Sequence, residues 1–348
     1  MLFFKTYQIR RATFWECELF LCAIVMASTG CGNTTNVSGI PNVTSVESAN
    51  TSYYPVTVQT FDTEGKSVEM TFSKIPKRVV ADRVNTLAVL LALGQGDKVI
   101  ATSAGESPLS YARLKEKYPE EIKKVQGNYG FDLDLETVVS LQPDFIMGWK
   151  SSFAKNRFRS TEWWNSQGVN TYILGTSNHV IPQGKIEDEC QFILDMGRIF
   201  HAEDKANGYV EEIHSEISRA QMYAKGKPPQ LAMMLEVGGR NIFNYDDGWI
   251  IGDMVRQMGG VMPVKARKLS SEQLIEYDPD VIFVDYFMEG QKANIQKFFD
   301  APEYNSLKAV KNHRIYLIPF DYMYAPGINT IDGIRIVRDG LYPDLAGT

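Results

Sequence analysis

The chain has 348 residues, 44% hydrophobic and 22% charged, with a formal net charge of −6. That length suits two ordinary globular domains, and the acidic balance excludes the concentrated basic face that nucleic acid requires. After the N-terminal region no run of about 18 apolar residues occurs, so the body of the chain is not expected to span a membrane.

Lys5, Arg10 and Arg11 precede an apolar run over 19–27, which ends in Ser28, Thr29 and Gly30 before Cys31. A basic start, a short apolar stretch and a small-residue exit predict a secretion signal over residues 1–30. Thr29-Gly30-Cys31 resembles the bacterial lipobox, in which the cysteine becomes the acylated first residue. Ser28 stands where leucine is usual, and Glu16 and Glu18 intrude before the run. Cys31 is thus the candidate lipidation site. Residues 31–53 are rich in Asn, Thr and Ser without a hydrophobic period, as a flexible tether is. The N-x-[ST] matches at Asn33, Asn36, Asn42 and Asn50 are read as part of that tether. Cys190 is then the one unmodified thiol of the processed chain. Its helical pattern with Phe192 and Ile193 predicts a buried, inert group.

The folded part opens with two alternating runs, 56–61 and 67–72, separated by a turn ending at Gly65, which predicts a hairpin. Strand and helix patterns then alternate: strands at 78–81, 99–102, 145–147 and 171–174, helices at 85–93, 107–118, 135–141 and 158–167. Such alternation predicts parallel sheets covered by helices. Ala206, Tyr209, Val210, Ile213, Ile217 and Ala220 form one apolar stripe of helical period, and a new strand begins after Pro228-Pro229.

The segment 135–147 returns at 271–283. Glu136, Pro143, Asp144 and Ile146 recur as Glu272, Pro279, Asp280 and Ile282, all offset by 136 residues. Each copy reads as a helix stopped by proline and followed by a buried strand. Two copies far apart predict two lobes of similar design, since an array would show three or more.

Several stretches resemble the substrate-binding proteins of ABC importers for iron chelates, haem and vitamin B12. They are Lys77 to Ala81 with the helix ending at Gly94, the two Glu…Pro-Asp copies, Glu303 to Tyr316, and Ala325-Pro326-Gly327 with Leu341-Tyr342-Pro343. The resemblance spans roughly residues 74–345. It implies an α/β fold of two Rossmann-like lobes with parallel-rich sheets, 54–203 and 226–348, joined by a single long α-helix over 204–225. It also implies docking on a permease through one acidic side chain on each lobe. Lys155 occupies the first-lobe position, so Glu162 nearby is the candidate there; Asp247, or Asp246 beside it, is the candidate in the second lobe.

Enzyme signatures are absent: no G-x-G-x-x-G after a strand, no P-loop, no G-x-S-x-G and no H-E-x-x-H. The four histidines, His179, His201, His214 and His313, are dispersed, so no resident metal or cofactor is expected. Ligands of open parallel sheets bind beyond the carboxyl ends of the strands. That rule selects Arg83, Trp149 and Lys150 in the first lobe, with Tyr129 beside them. In the second lobe it selects Arg240, Tyr245, Trp249, Tyr286, Tyr322 and Tyr324. Aromatic faces and tyrosine hydroxyls suit a large flat or aryl-rich chelate, and Arg83, Lys150 and Arg240 suit carboxylate or catecholate charge. A tryptophan also stands at the Trp149 position in the vitamin B12 relative.

The sequence and its resemblance together imply an extracytoplasmic, lipid-anchored, monomeric substrate-binding protein. It captures a ferric siderophore, haem or a corrinoid between its lobes and delivers it to an ABC permease without changing it. A carrier of another solute, such as a free metal ion or oxyanion, and an extracytoplasmic enzyme acting on the chelate remain as alternatives.

Overall fold

In the computed structural model, residues 53–239 and 241–346 are described. The signal over 1–30, nearly all of the tether, Cys31 and Arg240 lie outside the described residues. The hairpin pairs β1 (Val56–Phe61) with β2 (Ser67–Phe72), Val56 opposite Phe72, so Val58, Met70 and Phe72 face inward together.

The first sheet consists of β3 (Val79–Ala81), β4 (Val99–Thr102), β5 (Phe145–Gly148) and β6 (Asn170–Ile173), all parallel, in the order β4-β3-β5-β6. β3, β4 and β5 are buried along their whole length, as expected of strands covered on both faces. The second sheet consists of β7 (Ala232–Gly238), β8 (Asn241–Tyr245), β9 (Lys268–Leu269), β10 (Val281–Tyr286) and β11 (Ile315–Pro319), in the order β11-β10-β7-β8-β9. β11, β10 and β7 run parallel, whereas β8 and β9 add antiparallel. The antiparallel edge departs from the alternation read in the sequence. Gly239, at φ +62°, supplies a left-handed turn between β7 and β8, a conformation glycine adopts without steric cost.

The two copies of the repeat do the same structural work. Asp144 accepts the backbone N–H of Lys77 and of Arg78, each at 2.9 Å, and returns its own N–H to Arg78 O. Asp280 accepts the N–H of Leu231 at 2.9 Å and returns its own N–H to Leu231 O. Each aspartate therefore pins the chain entering the neighbouring strand, β3 in one sheet and β7 in the other.

Between β6 and β7 lie the helices Ile186–Ile199 and Glu203–Ala224. The second is the 22-residue helix read from its stripe; Ala206, Val210, Ile213, Ile217 and Ala220 are its buried residues. One continuous apolar core runs from Leu87 and Phe145 through Ile193, Ile213, Met254 and Phe283 to Ile334, so both sheets share it on one side. Two further cores cover the other faces, one around Ile146 and Phe158, one around Val284 and Phe299. Each of these wholly buried side chains contributes about 1.5–3 kcal/mol of transfer free energy. Among the described residues no helix is long and apolar enough to cross a membrane.

Candidate functional site

Aromatic side chains that follow strands of the two sheets meet one another. Trp149 follows β5 directly, its N–H held by Ser152 Oγ at 3.0 Å. Tyr324 follows the short helix Phe320–Met323 at the end of β11. Their ring centroids lie 5.1 Å apart, edge to face. Trp249, which precedes helix Ile250–Gln257, lies 5.5 Å from Tyr324 and 5.2 Å from Tyr245. Phe320 stacks on Tyr324 at 5.0 Å, and His179, after β6, meets Trp249 at 4.1 Å. The N–H of Asn178 donates to Tyr324 Oη at 2.9 Å. Burial pushes the Tyr324 phenol above its usual range.

Four of the sequence-selected residues thus converge: Trp149, Tyr245, Trp249 and Tyr324. Arg83 joins them, its guanidinium 5.2 Å from the Trp149 ring. Its backbone is in the left-handed region at φ +84°, strained for a residue with a side chain, and its N–H is fixed by Ser103 Oγ at 2.9 Å. Tyr322 is buried at the same edge with Arg113 over its ring at 5.3 Å. Tyr286 turns to the other face of the second sheet, beneath the Lys292 ammonium at 4.8 Å. Tyr129 packs on the far face of the first sheet. Lys150 reaches back to the hairpin turn, donating to Glu64 O at 3.2 Å. Glu162 is exposed in the first turn of helix Thr161–Ser166, and Asp247 is ion-paired with Lys265.

The charged groups behind Trp149 form a closed set that the sequence reading did not assemble. Asp82 is fully buried and accepts from Ser103 Oγ at 2.6 Å, from Ser152 Oγ, and from Arg157 at 2.8 Å. Arg157 also reaches Glu106 at 3.0 Å, and Arg83 pairs with Glu106. Two guanidinium groups are thereby matched by two carboxylates. Arg157 lies on a loop and Glu106 ends the short 3-10 turn Ala104–Glu106, neither within a periodic pattern, so spacing gave no signal for either.

In the second sheet, Asp285 near the end of β10 is 3% exposed, and neither of its carboxylate oxygens has a hydrogen-bond partner. Burial, and then the charge of Glu236, push its carboxyl up to about 8; its own backbone amide opposes the shift. Tyr245 Oη donates to Glu236 at 2.9 Å. Burial, followed by the Asp285 charge, pushes the Tyr245 phenol far up. A signal for this group did exist: Asp285 is the one charged residue of the otherwise apolar strand Val281–Tyr286.

The two halves are also latched around the cleft. Asp321 accepts from Ser110 Oγ at 2.8 Å and pairs with Arg113. Asn85 Nδ2 donates to Ala325 O at 2.7 Å, and the Gly327 amide donates to Glu189 at 2.6 Å. Away from the cleft, Glu187, Cys190 and His214 bring one ligand atom each within 4.8 Å of one another. Burial pushes the Cys190 thiol up to about 12, which opposes the thiolate that a metal needs.

Residues 79–322 match the periplasmic binding protein family. The chain belongs to that family. Among curated relatives, an uncharacterized ABC transporter substrate-binding lipoprotein of Bacillus subtilis, YvrC, is 24% identical over 96% of this chain and 98% of its own. The iron(3+)-hydroxamate-binding protein YxeB of the same organism is 24% identical over 76% of this chain and 80% of its own. Among solved structures, a periplasmic binding protein from Veillonella parvula superimposes with a TM-score of 0.76. It is 27% identical, covering 84% of this chain and 92% of that one.

Proposed function

We propose that this periplasmic binding protein is the substrate-binding lipoprotein of an ABC importer, and that it carries a ferric chelate held between Trp149, Trp249 and Tyr324. The observation that carries the reading is the unbroken ring contact Trp149–Tyr324–Trp249–Tyr245, which joins groups following strands of different sheets. Ring faces offer apolar area, and the phenols offer fixed hydrogen bonds, to a ligand with organic arms around a metal. The hydroxamate-binding relative supports a chelate as the solute.

The space beside Trp149, lined by Arg83, Asn85, Ser103, Glu106 and neighbours, measures about 60 Å³. Sites for ligands of this size span about 300–1,000 Å³, so the rings part as the chelate enters. The lobes 54–203 and 226–348 move little as bodies, because helix Glu203–Ala224 and the shared core tie them behind the cleft. Acylated Cys31 holds the protein at the membrane surface, with 32–53 as its tether. Glu162 and Asp247 are the docking contacts for the permease, and the ligand is released unaltered.

Titration of intrinsic tryptophan fluorescence tests this. The panel is a ferric trihydroxamate, a ferric catecholate, haem and a corrinoid. One member is expected to quench with micromolar or tighter affinity and to be recovered chemically unchanged. No response to any of the four overturns the reading.

A further inference from the structure

β10 alternates: Val281 and Phe283 enter the core shared by both sheets, while Ile282, Val284 and Tyr286 enter the outer one. Asp285 is therefore on the shared side, at the carboxyl end, where the sheet meets the cleft. Val284 pairs with Leu235, so Glu236 on β7 is its neighbour on that same face. Tyr245 bonds Glu236 and meets Trp249 edge to face, which places Glu236, with Asp285 beside it, next to the aromatic rings.

The Tyr245 hydroxyl donates to Glu236 alone, Asp285 has no hydrogen-bond donor, and no cation among the described residues pairs with either. A buried carboxylate left without donors is costly and is seldom kept without use. Across the cleft Arg83 and Arg157 are already matched by Asp82 and Glu106. The unpaired carboxylate oxygens of Asp285 are acceptors suited to a positive donor, and ring faces such as those of Tyr245 and Trp249 also attract cations.

We propose that the ligand presents a cationic hydrogen-bond donor, an ammonium or amidinium group, which Asp285 and Glu236 receive next to the aromatic rings. This rests on the reading of the protein as a chelate carrier and names a feature of the solute. A ligand whose charge is only negative is disfavoured at this end of the cleft.

The test uses a linear ferric trihydroxamate ending in a free primary amine and the same chelate with that amine acetylated, both titrated against the mature protein. The amine form is expected to bind at least about tenfold more tightly, the range of one charge-assisted hydrogen bond. In Asp285→Asn, and again in Glu236→Gln, the two affinities are expected to fall within about twofold of each other. Thermal melting checks that each variant is folded. Equal or tighter binding of the acetylated form, or a preference that survives both substitutions, overturns the inference. If neither hydroxamate binds while an uncharged or anionic chelate does, the inference falls and the carrier reading stands. If no chelate binds, both fall.

Discussion

Trp149 and Tyr324 meet edge to face with ring centroids 5.1 Å apart, although one follows a strand of the first sheet and the other a strand of the second. Tyr324 is fixed from the first half as well, through the Asn178 amide at 2.9 Å. Both rings contribute contact area that alanine cannot replace. Trp149→Ala and Tyr324→Ala are each expected to weaken chelate binding at least about thirtyfold, the loss typical of a buried aromatic anchor. Tyr324→Phe keeps the ring and loses only the hydroxyl, so its effect is smaller. Equilibrium titrations of the three variants check the order.

Stability is expected to depend on pH through two buried carboxyl groups. Asp285 rises from an ordinary 3.8 to about 8, and Glu189 from 4.5 to about 7, burial being the first cause in each. Between those values the folded protein keeps protons that the unfolded chain releases, so stability falls as pH climbs from about 4 to about 8. Asp285→Asn and Glu189→Gln are each expected to flatten that decline and to raise the melting temperature at pH 8. Melting curves at pH 5 and pH 8 decide it; an unchanged slope in both variants contradicts the assignment.

Arg113 and Asp321 latch the helix Pro108–Lys117 of the first half to the end of β11 in the second. Removing the arginine strands a buried carboxylate. Arg113→Leu is expected to cost on the order of 3 kcal/mol, whereas the double variant Arg113→Leu/Asp321→Asn recovers part of that loss. Urea denaturation of both measures the difference.

Cys190 is 2% exposed, and burial, reinforced by Glu187 and Glu189, holds its thiol up to about 12. A thiol that does not ionise reacts slowly. The folded mature protein is expected to resist an aromatic disulfide reagent at neutral pH and to react once unfolded in urea. Fast reaction of the native protein contradicts this burial.

Much of the fold was legible because local pattern and packing agree. The hairpin, the strands at 99–102 and 145–148, and the 22-residue helix follow their hydrophobic periods closely. The repeated Pro-Asp was readable as duplication, and Asp144 and Asp280 show its cause: each caps the chain entering a neighbouring strand. The antiparallel edge of the second sheet was not legible, since Gly238 and Gly239 mark a turn without stating which way the next strand pairs. Position after a strand selected Trp149, Tyr245, Trp249 and Tyr324, whose rings the fold brings together. The same rule cannot say to which face a side chain turns, and Tyr286 and Tyr129 turn elsewhere. The ion pairs of Arg83 and Arg157 depend on contacts across loops, which no spacing encodes.

The most direct test is a crystal structure of the protein soaked with whichever member of the chelate panel quenches its tryptophan fluorescence. Metal and organic arms are expected between Trp149, Trp249 and Tyr324, with those rings moved apart and the latch between Asp321 and Arg113 intact. A chelate bound elsewhere on the surface, with the rings still touching, contradicts it.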